Sequence, residues 1–118
     1  MDENKFFLID RLSRDHEIVY GKKPRVTADF EEVRKALVAK NPLVPVEILW
    51  PLREGGFAHQ VILFRSLDAD NRVGFTPPSR SKTLPYAFPP FWEEEPALIP
   101  ARNLSVLFSD DRARALLA

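Results

Sequence analysis

The chain has 118 residues, 45% of them hydrophobic, with 17 basic and 17 acidic side chains and no cysteine. The missing cysteine excludes disulfides, thiolate metal sites and a cysteine nucleophile, and the zero net charge gives no basic footprint for nucleic acid or an anionic membrane surface. No apolar run approaches the ~20 residues that span a bilayer, and Met1-Asp2-Glu3-Asn4-Lys5 lacks the order of a signal peptide, so the expected setting is the cytoplasm.

Lys5-Phe6-Phe7-Leu8-Ile9 and His16-Glu17-Ile18-Val19-Tyr20 both have strand composition, and the polar Asp10 to Asp15 between them reads as a turn, so the pair predicts a hairpin. Gly21 and the basic Lys22, Lys23 and Pro24 close the second run. The period then changes. Phe30, Val33 and Leu37 recur at three- and four-residue steps, predicting an amphipathic helix over 29–40 that Asp29 starts, with Glu32 reaching back to it, and Asn41-Pro42 ends. Glu31 lies four residues before Lys35, a spacing that favours an ion pair.

Val44 to Leu49 is β-rich but bordered by Pro42, Pro45 and Pro51, which predicts a short strand. Arg53-Glu54-Gly55-Gly56 is a loop, and His59 to Leu67 carries four successive apolar residues, as expected of a central strand covered on both faces. Asp68 to Asn71 supplies a turn, after which Arg72 to Phe75 returns as a hairpin partner. Eleven prolines are about twice the usual share of ~5%, and seven of them fall within residues 76–100 beside Tyr86, Phe88, Phe91 and Trp92. Such an aromatic content predicts an ordered excursion, because disordered linkers hold few aromatics. Leu104 to Phe108 reads as a last strand, and Ser109 or Asp110 caps a short C-terminal helix that runs to Leu117. These elements make an α+β domain spanning 1–118, a mainly antiparallel sheet of about five strands with one main helix.

Few residues point to chemistry. His59 opens the strongest strand after a Gly-Gly loop, a usual position for a general base, although a lone histidine there is more often a structural residue. His16 between Asp15 and Glu17 does not make a metal site, since successive strand residues point to opposite faces. No serine lies in a Gly-x-Ser-x-Gly elbow, and no phosphate loop, dinucleotide fingerprint, His-Glu-x-x-His or calcium loop is present. No metal or cofactor is expected.

The order of Asp29 to Lys40, Val44 to Leu49, Gly55-Gly56, His59 to Leu67, Asp68 to Asn71 and Arg72 to Phe75 resembles the second half of papain-like cysteine peptidase domains, especially the bacterial kind that processes peptide leaders. Leu84 to Trp92 and Leu104 to Phe108 are similar to its later aromatic helix and closing strand, so about two thirds of the chain is covered. In that family a thiolate at the start of an early helix, a histidine and a third polar group act together. Here the cysteine is absent, Thr76 before Pro77 stands where the orienting Asp or Asn is expected, and the first 26 residues are too few for the catalytic helical half. The resemblance implies a shortened, non-catalytic relative of a kind that docks peptide segments. The leading expectation is therefore a protein- or peptide-binding module whose surface lies near Trp50, Phe57, His59, Tyr86, Phe88, Phe91 and Trp92. The alternatives are a hydrolase or transferase subunit using His59 as base with a nucleophile from a partner, and a structural homo-oligomeric subunit.

Overall fold

A computed structural model describes residues 6–39, 43–75 and 98–117. The site candidates Tyr86, Phe88, Phe91 and Trp92, the orienting position at Thr76, and residues 76–97 of the proline-rich excursion lie outside these.

In chain order the elements are α1 (Leu8–Tyr20), β1 (Arg25–Thr27), α2 (Phe30–Val38), β2 (Val44–Pro51), β3 (Phe57–Leu67), β4 (Arg72–Phe75), β5 (Leu98–Pro100), α3 (Ala101–Ser109) and β6 (Ala113–Leu117). The six strands form one sheet in the order β1-β6-β2-β3-β4-β5, antiparallel at every described pairing, so the architecture is α+β. The helix expected over 29–40 is α2, with Phe30, Val33 and Leu37 on its buried stripe. Its cap differs in detail from the expected reciprocal box. Asp29 accepts from the Glu31 N–H at 3.0 Å, but Glu32 accepts from the Thr27 hydroxyl at 2.8 Å, and that hydroxyl accepts from the Asp29 N–H at 3.0 Å. Glu32 also pairs with Arg25, so one carboxylate ties β1 to the helix start. Glu31 meets Arg34 at 3.8 Å.

Three helix and strand assignments are corrected. The N-terminal hairpin is instead the single helix α1, closed by Gly21 in the left-handed conformation with its N–H on the Glu17 carbonyl at 2.8 Å. Ile9 and Ser13, one turn apart, are its buried residues, and the β-branched Ile18 and Val19 that suggested a strand lie exposed at its end, where no sheet rewards their preference. The expected last strand at Leu104 to Phe108 is the helix α3, in which Ala101, Leu104 and Phe108 recur at helical spacing. The expected C-terminal helix is the strand β6, entered through Asp111 at φ 56° and inserted between β1 and β2.

The strand covered on both faces is β2, not β3. Residues 46–50 are all buried, whereas β3 is mostly half-buried along its length. The prolines do not shorten β2, for a geometric reason. The Leu49 N–H donates to Arg112 O on the β6 side, so at the two-residue period Pro45 and Pro51 aim their nitrogens to the same side. There the β6 ladder covers only Val46 to Ile48, and no hydrogen bond is lost.

Val44, Val46, Ile48, Trp50, Ile62 and Phe64 face the main core with α2 and α3, and Ala113 and Ala115 of β6 leave the room that the helices occupy. The opposite face holds a smaller cluster of Phe6, Ile9, Leu49 and Leu116 beneath α1.

The expected turn at Asp68 to Asn71 is present, with Asn71 at φ 59°. The Asp68 carboxylate accepts from the Arg72 N–H at 2.8 Å, the Arg72 Nε at 2.9 Å and the Asp70 N–H at 3.0 Å. The Arg72 backbone bond, with that guanidinium beside it, holds the Asp68 carboxyl below the usual carboxylate range. A lowered folded pKa gives stability that is present above the unfolded value and lost as pH falls through the folded one. Asp68→Asn is accordingly expected to flatten the acid limb of the stability curve below about pH 4. Denaturation midpoints across that range check this, and an acid limb as steep as the parent's would count against it.

Candidate functional site

The face under α1 holds the candidate site. Alternation along β2 places Glu47 and Leu49 on this side, and Leu49 is the register partner of His59, so His59 and Phe57 of β3 lie on it too. Glu47 is fully buried in the middle of an otherwise apolar strand. A carboxylate in such a place needs partners on both oxygens. Its Oε1 accepts the Ile9 N–H at 2.8 Å and its Oε2 lies 2.7 Å from His59 Nδ1.

The first of these bonds supplies a helix cap from a distance. The first four N–H groups of a helix lack internal acceptors, and Phe7, which precedes α1, offers no capping side chain. Glu47 provides the acceptor 38 residues away, its carboxyl oxygens placed at the positive end of the helix dipole. The second bond fixes the imidazole. With Nδ1 donating to the carboxylate, the lone pair of a neutral ring is on Nε2.

Phe7 then meets that ring, with centroids 4.4 Å apart and planes inclined by 51°. Phe7 is 46% exposed and Phe57 37%, so two accessible aromatic rings share the face with the imidazole. Arg114, the register partner of Glu47 on β6, extends over the Phe6 ring at 4.5 Å and reaches Asp111 at 3.5 Å.

Of the sequence candidates, His59 and Phe57 are therefore brought together. Trp50 is not: it is 4% exposed in the core on the opposite face, with its Nε1 donating to Gln60 Oε1 at 2.9 Å. His16 lies on α1, its Nδ1 3.3 Å from Lys22 O and its ring against Tyr20. Among the described residues no three His, Asp or Glu side chains gather as metal ligands do, and no helix is long and apolar enough to cross a membrane. Sequence reasoning missed Glu47 and Phe7. The signal for Glu47 is a lone acid in the run Val44 to Leu49; for Phe7 there is none, since its role depends on a helix that the local pattern hides.

No family model, curated protein or solved structure matches the chain.

Proposed function

We propose that this chain is a non-catalytic module that binds a protein or peptide segment at the surface of Phe7, Phe57 and His59, and that it is a degenerate relative of the papain-like peptidases. The observation that carries the reading is the packing of Phe7 on His59 at the start of α1. A papain-like peptidase holds its thiolate at the start of an early helix beside the histidine, and here that neighbourhood is filled by an aromatic ring. Glu47 acts as the third polar group, orienting the imidazole from within the sheet. Rigid aromatic rings around one polar atom offer contact area at low entropic cost, which suits an extended peptide.

The test is a peptide selected from a random library on the parent protein and then titrated against the double variant Phe7→Ser, Phe57→Ser. Affinity is expected to fall at least about tenfold, the loss of one anchoring side chain or more. Equal affinity in a variant with parental circular dichroism overturns the site. The Glu47–His59 pair supports a second reading, in which Nε2 serves as base toward a nucleophile on the partner. Turnover with the bound partner, abolished in His59→Ala while binding persists, would favour that reading over the first.

A further inference from the structure

Further along α1 a second polar feature has no part in the His59 surface. A cleft of ≈ 550 Å³, lined by Asp10, Ser13, Arg14, Lys23, Pro24 and Val26, separates the helix from the turn leading into β1. That volume lies within the range of small-ligand sites. Ser13 is 4% exposed, and its hydroxyl is buried without a hydrogen-bond partner among the described residues. A serine in mid-helix ordinarily bonds back to the carbonyl four residues earlier, so an idle buried hydroxyl on a residue of the cleft wall is an atom that a ligand can satisfy once rotation about χ1 turns it toward the space.

The charges around it indicate which ligand. Among the described residues, no ion pair engages Arg14, Lys23 or Asp10. Asp10 and Arg14 are one turn apart on α1 yet remain unjoined. A cleft lined by residues that carry a guanidinium, an ammonium and a hydroxyl matches a phosphoryl group, which carries a charge of about −1.5 to −2 and three acceptor oxygens. Asp10 repels such an anion unless the ligand also brings a donor for it. We propose that this cleft binds a small phosphomonoester that also carries an amine or hydroxyl, the phosphoryl on Arg14, Lys23 and Ser13 and the donor on Asp10.

Amide chemical shifts of the full chain, titrated with inorganic phosphate and with O-phosphoethanolamine, test this. Saturable shifts at Ser13, Arg14 and Lys23 are expected with both probes, and tighter binding of the amine-bearing one. Arg14→Ala and Lys23→Ala should each weaken binding about tenfold or more, as loss of a bond to a charged group does. Asp10→Asn should tighten inorganic phosphate and remove the advantage of the amine. Ser13→Ala should lower affinity while leaving the melting temperature of the free protein unchanged or raised, since it deletes an unsatisfied hydroxyl. Vesicles containing phosphatidic acid separate a lipid headgroup from a free metabolite, and binding of vesicles alone overturns the proposal. So does the absence of saturable shifts, an unchanged response in Arg14→Ala and Lys23→Ala, or a lower melting temperature in Ser13→Ala. None of these readouts involves Phe7, Phe57 or His59, so the two sites stand or fall separately.

Discussion

Glu47→Ala is expected to destabilise the protein by about 2–5 kcal/mol, since a donor left without its acceptor on burial costs about 1–3 kcal/mol. Two groups lose their acceptor at once. The Ile9 N–H at the start of α1 is left without its tertiary cap, and the His59 ring, itself half-buried, loses the carboxylate that orients it. Folded domains have only about 5–15 kcal/mol in total, so a loss of this size is a large share of the whole. Urea denaturation measures it, and amide exchange adds location: protection of α1 should fall further than that of β2 and β3, because the cluster beneath the helix is small. Glu47→Gln keeps an acceptor for Ile9 and should lose less. If Glu47→Ala unfolds at the parental urea midpoint, Glu47 does not join the helix to the sheet.

Phe64→Ala should cost a similar amount, about 3–5 kcal/mol, by a different cause. Phe64 is fully buried and lies across from Val44 on one side and Phe75 on the other, beside the irregularity where the β3–β4 register shifts toward Ser66. Its ring fills the space between the sheet and the α2–α3 layer, and strands pinned by hydrogen bonds on both sides cannot collapse into the cavity it would leave. Val106→Ala is the control, since Val106 is 57% exposed on α3 and should change stability by less than about 0.5 kcal/mol. Equal midpoints for the two variants would mean that Phe64 is not in the core.

Half of this fold was legible in the sequence and half was not, and the division is physical. α2 could be read because its signals are local: a cap at Asp29, apolar residues at three- and four-residue steps, and a proline soon after its end. The β3–β4 hairpin was equally readable from the Asp68 to Asn71 turn. β6 could not be read, because Ala-Arg-Ala-Leu-Leu favours a helix in isolation and becomes a strand only through the partners that β1 and β2 offer on either side. The candidate site divides in the same way.

The sequence by itself determined the α+β class, the position of α2, the place of His59 within a strand, although that strand opens two residues earlier at Phe57, and, through the absence of cysteine, the exclusion of a thiol nucleophile. Only the tertiary structure decided that the first 20 residues include a helix, that its start meets His59 through Phe7, and that Glu47 joins the two. The reason is range. Caps, turns and periodicity act within a few residues, whereas a carboxylate that caps a helix 38 positions away acquires its role only when the sheet brings the two together.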